Sequence, residues 1–188
     1  MKRKNTKRLL VLIVLLIIIL NYSFFDGFLE DTFNSRESVF IERVVDGDTV
    51  KVNATSIRLL GINTPEKGEI YYEEAKDFLE DLILNKTIEL EYGREKYDKY
   101  DRILGYLFLN NQNVNKQLVE NGLANYYFPS GKDKYYEEFK SAWERCLISN
   151  KYLCEKSKHK CADCIILKEF DYNKELIKIK NTCSFDCE

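Results

Sequence analysis

This 188-residue chain has one histidine and two prolines, and it has no excess of positive charge. The single histidine, His159, lies outside the segment that carries the motifs described below. A zinc hydrolase built on several imidazoles, and any chemistry that needs two histidines, are therefore excluded. The net charge is −2, whereas many nucleic-acid binders carry a basic excess, so an anionic ligand would have to be attracted by a bound cation or a local Arg and Lys cluster. If the chain is a hydrolase, carboxylates, arginines and a hard cation must therefore carry out the catalysis.

The first 26 residues have the pattern of an export signal. Met1 to Arg8 is strongly basic, and Leu9 to Leu20 is an unbroken apolar run with no small-x-small cleavage site after it. We therefore predict an uncleaved signal anchor, a transmembrane helix, over residues 1–26. The basic end stays in the cytoplasm, so the rest of the chain is extracytoplasmic, or secreted if the segment is cleaved. Residues 27–37 are polar and acidic and are predicted to form a linker.

Residues 38–148 alternate short apolar strands with amphipathic helices. Tight turns join the first three predicted strands, which are Val39–Val45, Thr49–Val52 and Ile57–Ile62. Five short strands interrupted by a helix after the third fit an OB-type barrel, so we predict a mainly β, five-stranded OB-fold barrel with three helices. The remaining predicted elements are the strands Thr87–Tyr92 and Ile103–Leu109, a helix with Ala75, Phe78, Leu79, Leu82 and Ile83 on one face, a short helix with Val114, Leu118 and Val119 that ends at Gly122, and a helix with Tyr136, Phe139, Trp143 and Leu147 on one side.

Two carboxylates flank a glycine in the sequence Asp46-Gly47-Asp48-Thr49. At positions i and i+2 of a strand, Asp46 and Asp48 face the same side, where they repel each other unless something positive lies between them. A hard cation with oxygen ligands meets that need. Asp-Gly is also a common hairpin pair, so an ordinary turn is an equal alternative.

Arg58 stands in the middle of a strongly apolar predicted strand, Ile57–Ile62. Burying a guanidinium without a partner is costly, so Arg58 must find an internal anion or point into a site that receives one. A structural ion pair is the alternative interpretation.

The sequence Asn63-Thr64-Pro65-Glu66 follows directly on that strand. Pro65 ends the strand and restrains Thr64 to an extended conformation, so Glu66 is projected from a fixed turn. Asn63 and Thr64 offer neutral oxygens that suit calcium. An ordinary turn is the alternative, because Asn, Thr and Pro are common turn residues.

A charged segment, Asp98-Lys99-Tyr100-Asp101-Arg102, precedes the last predicted strand. Arg102 can present a planar and permanently charged fork to a phosphate. Taken by itself, the segment is better interpreted as a charged loop.

Taken together and in order, the motifs VDGDTV, RLLGINTPE, YDKYDR and LVENGLA resemble those of the staphylococcal nuclease (thermonuclease) family. The resemblance covers about Val39 to Trp143. It implies a five-stranded OB barrel with three helices and a calcium-dependent endonuclease that hydrolyses DNA and RNA and leaves a 3′-phosphate.

The resemblance also assigns functional positions to individual residues. The matching residues are Arg58, Glu66 and Arg102 for catalysis, Lys99 and Tyr100 for contact with the nucleotide, and Asp48, Asn63, Thr64 (through its backbone carbonyl) and the nearby Asp46 for the cation. The chain departs from the family in several places, and one of them is a shorter loop after Glu66. Asn63 stands where the family usually has an aspartate ligand, and Asp101 stands where glycine is common. A tyrosine that faces the nucleotide has no clear match, although Tyr126, Tyr127 and Phe128 lie near its place.

A non-catalytic OB-fold module that binds nucleic acid and is tethered to the membrane is the alternative function. Retention of Arg58, Glu66 and Arg102 together favours the enzyme, whereas the neutral Asn63 favours the module. For the enzyme we predict DNA or RNA as the substrate, the membrane as a partner through the N-terminal helix, and no obligate protein partner.

Residues 149–188 form a predicted cysteine-rich tail, and all six cysteines of the chain lie between Cys146 and Cys187. An even count on an exported chain favours disulfides, while Cys161-Ala162-Asp163-Cys164 has the spacing of a zinc site. A bridge between Cys161 and Cys164 would close a tight loop, so more distant partners are expected. Two predicted strands, Cys164–Phe170 and Glu175–Asn181, weakly resemble the opening hairpin of a lamin-tail β-sandwich.

Overall fold

The computed structural model describes Arg8, residues 36–171 and residues 175–187. Apart from Arg8, the predicted anchor lies outside these residues, and so does the predicted linker except for Arg36 and Glu37. Within the described part of the chain, no helix has the length and apolar character needed to span a membrane. The chain forms two compact units, of which the first reaches Leu60 and resumes over Lys76–Asn115, while the second contains Gly61–Ala75 and Lys116–Glu188.

The first unit is a curled, half-barrel sheet, so the predicted mainly β fold is confirmed at that level. Its strands follow the order β1-β6-β7-β4-β3-β2, and β8 pairs with β7. All neighbouring strands are antiparallel except β4 and β7, which are parallel. The strands are β1 (Glu37–Phe40), β2 (Arg43–Asp46), β3 (Thr49–Val52), β4 (Thr55–Leu59), β6 (Thr87–Tyr97), β7 (Ile103–Leu109) and β8 (Gln112–Asn113).

Apolar side chains from these strands form the core of the first unit. The buried set comprises Val44, Val50, Ile57, Leu59, Ile88, Leu90 and Leu107, each of them exposed by 2% or less. In β3 and β4, Val50 and Ile57 lie opposite each other in the ladder. This burial supplies most of the driving force for the sheet, because removing apolar surface from water is the dominant favourable term in folding.

The first and third predicted strands are each divided in two. Between β1 and β2 the N–H of Ile41 donates to the carbonyl of Lys86, and the N–H of Glu42 donates to that of Lys51. The chain therefore changes its partner strand at this point. The third predicted strand ends at Leu59, and β5 (Ile62–Asn63) follows after Gly61, whose φ of 76° interrupts the extended backbone.

Two of the three helices have the predicted faces. In α1 (Tyr72–Ile83) the side chains of Ala75, Leu79 and Ile83 are completely buried. In α2 (Val114–Glu120) the predicted apolar residues are buried as well. Gly122 ends this helix with a φ of 74°, and a Cβ there would lie 2.5 Å from the carbonyl oxygen of Lys151, so the position requires glycine.

The third helix, α3 (Tyr136–Ser149), buries a different stripe from the predicted one. Phe139, Ala142 and Cys146 are buried, whereas Leu147 is 46% exposed. The prediction for Leu147 is therefore wrong. The buried stripe keeps Phe139 from the predicted set and includes Cys146, which forms a disulfide with Cys154 at the end of a short 3-10 helix (Tyr152–Cys154) that follows α3.

The tail contains the predicted hairpin and is held by disulfides. Strands β10 (Ile165–Asp171) and β11 (Leu176–Asn181) pair antiparallel. Cys161 is bonded to Cys187 and Cys164 to Cys183, and none of the described cysteines is free. The preference for disulfides between distant partners over a Cys161–Cys164 bridge is confirmed.

Candidate active site

The segment from Asp46 to Thr49 is the hairpin turn between β2 and β3. Asp46 ends β2, and its Oδ1 accepts a hydrogen bond from the backbone N–H of Asp48 at 3.1 Å. The predicted placement of both carboxylates on one face of a strand is wrong, because the turn interrupts the strand at Gly47 and Asp48. Asp48 is 6% exposed, and its Oδ1 accepts the Thr49 hydroxyl at 3.1 Å. Asp46 therefore stabilises the turn, and Asp48 provides the buried carboxylate.

Arg58, in β4, is paired with the internal anion that the sequence requires. Its Nη1 lies 2.8 Å from Oδ2 of Asp48 and donates to the carbonyl of Leu59 at 3.0 Å. The N–H of Leu59 donates in turn to the carbonyl of Asp48 at 2.8 Å. The hairpin turn and the centre of β4 are thus held together by side-chain and backbone bonds, which fix the guanidinium in place.

The parallel pairing of β4 and β7 brings a second arginine to the strand beside Arg58. Leu104 lies opposite Arg58 in the ladder, and Arg102 precedes Leu104 by two residues. Arg102 directly precedes β7 (Ile103–Leu109), whose first residue lies opposite Ile57. The register therefore brings the loop that ends at Arg102 next to the strand that carries Arg58.

Arg102 is held by a carboxylate from its own loop, Asp98. Oδ2 of Asp98 accepts Nε of Arg102 and lies 2.8 Å from its Nη2 as well, which makes a two-pronged contact. Oδ1 accepts the backbone N–H groups of Tyr100 and Arg102 at 2.9 and 3.0 Å. Asp101 completes the turn with a φ of 60°. The hydrogen bonds and the ion pair to the carboxylate of Asp98 therefore fix the conformation of this charged loop.

The charge state of Asp98 follows from these contacts. Partial burial alone would raise the pKa of Asp98, but the bonds from the N–H groups of Arg102 and Tyr100 and from the Arg102 guanidinium lower this pKa below its ordinary value. Asp98 therefore remains a carboxylate at neutral pH and keeps Arg102 oriented.

The same loop displays an aromatic ring between two cations. Tyr100 is 67% exposed, the Nζ of Lys99 lies 4.9 Å from its ring centroid, and the Cζ of Arg102 lies 5.6 Å from it. An exposed ring beside positive charge suits stacking on a base or sugar next to a phosphate. The two predicted substrate-binding residues thus share one exposed surface.

The second unit carries the other predicted site residues on a short segment with a fixed backbone. Gly61 has a φ of 76°, and a Cβ there would lie 3.0 Å from Phe128 and 3.1 Å from Phe139. β5 pairs with β9 (Asn125–Tyr126), which places Asn63 opposite Asn125. The segment that leads to Glu66 is thus held by a strand pair and by an aromatic cluster.

The residues after β5 pass from buried to exposed within three positions. Thr64 is 4% exposed, Pro65 is buried, and Glu66 is exposed. The backbone N–H of Glu66 donates to Oε2 of Glu69 at 2.7 Å, and the carbonyl of Glu66 accepts the N–H of Glu69 at 2.8 Å. The prediction that Glu66 projects from a fixed turn agrees with this geometry.

One of three neighbouring aromatic residues faces solvent. Tyr126 and Phe128 pack against Tyr136, with ring centroids at 6.0 and 5.4 Å. Tyr127 is 52% exposed, and its N–H donates to the carbonyl of Gly61 at 2.8 Å. Among these residues, Tyr127 is the one whose ring is available to a ligand.

The donor chemistry of the predicted cation ligands fits calcium. Asp48 offers a buried carboxylate, Asn63 an amide oxygen, and Thr64 a carbonyl and a hydroxyl oxygen. These are hard oxygen donors of the kind that Ca²⁺ takes in proteins. Asn63 supplies no charge, so Asp48 and the nearby Asp46 are the anionic members of the predicted set.

Two positioning residues, Asp98 and Glu69, were not singled out by the sequence analysis. Asp98 precedes Arg102 by four residues, and Glu69 follows Glu66 by three. Short polar side chains commonly close turns on nearby backbone N–H groups, so an aspartate that opens the charged segment is a signal that could have identified Asp98. Glu69 has no comparable signal, because exposed glutamates are common around it.

Comparisons with known proteins agree with the motifs. The family model described as "Staphylococcal nuclease homologue" matches residues 56–146, a span that includes Arg58, Glu66 and Arg102. A thermonuclease of Staphylococcus intermedius is 34% identical over 147 residues, covering 72% of this chain and 88% of that protein. A thermonuclease of Staphylococcus hyicus is 32% identical over 120 residues, covering 58% of this chain and 71% of that protein. The SPbeta prophage-derived endonuclease YokF of Bacillus subtilis is 33% identical over 114 residues, covering 54% and 38%.

Proposed function

Because the chain belongs to the staphylococcal nuclease family and is an endonuclease, we propose that it hydrolyses phosphodiester bonds of DNA and RNA with the help of one Ca²⁺ ion. The observation that supports the proposal most is the pair of guanidinium groups, Arg58 in β4 and Arg102 directly before the neighbouring strand β7. Each is held by its own carboxylate, at 2.8 Å in both cases. Retention of Arg58, Glu66 and Arg102 together favours the enzyme over a non-catalytic binding module.

Arg58 and Arg102 stabilise the negative charge that develops on the phosphate during attack. Their planar forks match phosphate oxygens and remain charged at any pH of interest. Because Asp48 and Asp98 orient them before the substrate arrives, little reorganisation is needed at the moment of reaction. Donors fixed in this manner typically contribute about 10²–10³-fold each to the rate.

Glu66 is the general base that accepts a proton from the attacking water. Its carboxylate is exposed and is projected from a turn that Pro65 and Glu69 fix. General base catalysis by a positioned carboxylate contributes about 10²–10⁴-fold. The leaving group is the 5′-oxygen, so the product keeps a 3′-phosphate.

Asp48, Asn63 and Thr64 would hold the cation, with Asp46 supporting the turn that carries Asp48. When bound, Ca²⁺ supplies a positive charge that polarises a phosphate oxygen and positions water. Lys99 and Tyr100 bind the neighbouring nucleotide through charge and stacking, which is tolerant of base sequence. Both DNA and RNA are therefore expected as substrates.

The chain works outside the cytoplasm in this proposal. Three disulfides support that location, because disulfides persist in oxidising compartments and are rare in the cytosol. Proteolysis of intact cells should remove the chain from the cell surface, or the chain should appear in the medium. A chain recovered only from the cytosol would contradict the proposal.

Replacement of Glu66 by glutamine tests the proposed catalysis. In the full chain, Glu66→Gln should lower turnover of DNA and of RNA by about 10²–10⁴-fold in Ca²⁺, because the amide cannot accept the proton. The thermal midpoint should stay unchanged, since the side chain is exposed. Initial rates with both substrates, in Ca²⁺ and in excess chelator, provide the measurement.

Glu74→Gln is the matched control, because Glu74 is an exposed carboxylate on α1, eight positions further along the chain. It should keep full activity. Near-normal turnover of Glu66→Gln would exclude Glu66 as the base. Wild-type turnover that persists in chelator would exclude the calcium part of the proposal.

A further inference from the structure

Four cysteines meet at one end of the β10–β11 hairpin, and the proposed catalysis uses none of them. Cys161 and Cys164 lie immediately before β10, while Cys183 and Cys187 lie just after β11. The hairpin is antiparallel, with Ile165 opposite Asn181, so the two pairs converge. Cys146 and Cys154 form a separate bond at α3.

The sulfur atoms of the two tail disulfides form one cluster. Sγ of Cys183 lies 3.3 Å from Sγ of Cys187, although these two cysteines belong to different bonds. The sulfurs of Cys161, Cys183 and Cys187 all lie within 4.8 Å of one another, and Cys164 is bonded to Cys183. Two independent cross-links would not require this proximity.

Four sulfurs in this arrangement fit tetrahedral zinc. A Zn–S distance of about 2.3 Å puts the sulfurs of a tetrahedral site about 3.8 Å apart. The unbonded sulfurs of Cys183 and Cys187 are 3.3 Å apart, so a small further separation of the sulfurs, once the two disulfides are reduced, reaches that distance. The Cα atoms of the bonded pairs are 5.9 and 5.1 Å apart, so side-chain rotation at a nearly fixed backbone can place four thiolates around one ion.

The backbone and its surroundings also suit a metal site. The N–H groups of Cys164 and Ile165 both donate to the carbonyl of Cys161, which closes a tight C-x-x-C turn. The N–H of Thr182 donates to the carbonyl of Cys164 at 2.7 Å and joins the two turns. Cys161 is buried, and the Nζ of Lys160 lies 4.9 Å from the ring of Phe185, close to a site that would carry a net negative charge.

We propose that Cys161, Cys164, Cys183 and Cys187 bind one Zn²⁺ as four thiolates when they are reduced, and form the two disulfides when they are oxidised. A dithiol reductant supplies the electrons: two dithiols give four electrons and four protons to the two disulfides, which become four thiols. Binding of Zn²⁺ then releases these four protons, since thiolates are the ligands. Both forms close the same end of the hairpin, and the choice depends on the redox state of the compartment.

Cobalt provides the test, because Co²⁺ occupies thiolate sites and reports its ligands by absorption. The full chain is reduced with dithiothreitol, freed of reductant without oxygen, and titrated with Co²⁺. One equivalent should produce thiolate-to-metal charge-transfer bands and the strong visible bands of tetrahedral cobalt, and Zn²⁺ should abolish both. Excess Ca²⁺ should not, because it prefers oxygen ligands. Absence of the charge-transfer bands would overturn the proposal.

Two double variants form a matched pair, because each removes one disulfide. Cys146→Ser with Cys154→Ser should keep the cobalt spectrum, whereas Cys164→Ser with Cys183→Ser should lose it. Equal spectra in both would contradict the assignment. If the second variant does not fold, alkylation of the reduced wild type decides: Zn²⁺ should protect Cys161, Cys164, Cys183 and Cys187 from a reagent that modifies them in its absence, and modification of these four with Zn²⁺ bound would overturn the proposal.

Discussion

Arg58 in β4 and Arg102 directly before β7 are held in different ways. Arg58 is paired with Asp48 across the ladder, and the side chains of this pair are 16% and 9% exposed. Arg102 is paired with Asp98 inside a single loop, and this pair is more accessible, at 33% and 16%. Asp48 is also an anionic member of the proposed calcium site, whereas Asp98 serves Arg102 and its own loop. The position of Arg58 is therefore coupled to the hairpin and, in the proposed site, to the cation, while Arg102 can be altered locally.

The largest difference between the Arg58–Asp48 pair and the Arg102–Asp98 pair is expected when each aspartate is replaced by alanine. Asp48→Ala removes one partner of a buried pair and should cost about 3–5 kcal/mol of unfolding free energy. It should also lower turnover in Ca²⁺ by about 10²–10³-fold, since a fixed donor and a metal ligand are disturbed together. Asp98→Ala should cost only about 1–2 kcal/mol and lower turnover by about 10–10²-fold, because Arg102 loses its orientation.

Urea denaturation of both variants, with initial rates under native conditions, provides the measurement. The affinity for Ca²⁺, measured by calorimetry, should fall for Asp48→Ala and stay unchanged for Asp98→Ala. Equal stability losses in the two variants would show that the buried pair and the loop pair are equivalent. An unchanged calcium affinity in Asp48→Ala would remove Asp48 from the metal site.

Lowering the pH should weaken the ion pair between Asp98 and Arg102. The pKa of Asp98 is lower in the folded chain than its ordinary value of about 3.9. The unfolded chain therefore binds a proton more readily, and the stabilisation that Asp98 provides is complete above about pH 4 and is lost as the pH falls through the folded pKa. The difference in unfolding free energy between the wild type and Asp98→Asn should shrink over that range.

The carboxyl carbon of Asp98, followed by NMR, gives an independent measurement of the same quantity. Its titration midpoint should lie below the ordinary value of an aspartate side chain, about 3.9. A midpoint at or above that value would mean that the loop does not hold Asp98 as a carboxylate. Stability differences that grow with acidity would contradict the sign of the linkage.

The positions of Arg58 and Glu66 were easier to predict from the sequence than the contacts that hold them. Arg58 in an apolar strand requires an anion whatever the fold, and Pro65 fixes the exit of Glu66, so both predictions rest on local physical necessity. The motifs supplied the fold class because their order matched a known family. The partner of Arg58 could not be predicted, because the ladder that places Asp48 beside it depends on pairing between distant strands.

Contacts with other parts of the chain also bear on the two predictions that were wrong, which concern the Asp46–Asp48 pair and Leu147. Asp46 and Asp48 obey strand periodicity only if the strand continues, and a turn between them removes that condition. Leu147 fits the helical period but is exposed, whereas the neighbouring Cys146 is buried and bonded to Cys154. Sequence periodicity describes a single helix or strand, whereas turns and disulfides depend on the neighbouring elements.

The smallest effect is expected at Asp101, where the loop of Arg102 departs from the family. Asp101 has a φ of 60°, a left-handed conformation that costs an ordinary residue about 1–2 kcal/mol and that glycine adopts freely. Glycine also loses more backbone entropy on folding, about 0.5–1 kcal/mol relative to alanine. The two terms nearly cancel, so Asp101→Gly should change the unfolding free energy by less than about 1 kcal/mol and leave turnover within a factor of about two.

Asp101→Ala is the control for this position, because alanine keeps the Cβ and lacks a short polar side chain that helps a residue tolerate the left-handed region. It should be less stable than Asp101→Gly in urea denaturation, by about 1 kcal/mol. Since Asp98 holds the loop by bonds to the backbone of Tyr100 and Arg102, neither variant should release the guanidinium. A large loss of turnover in Asp101→Gly would mean that the Asp101 carboxylate itself helps to orient Arg102, and the loop would then depend on two carboxylates, as the hairpin at Asp46 and Asp48 does.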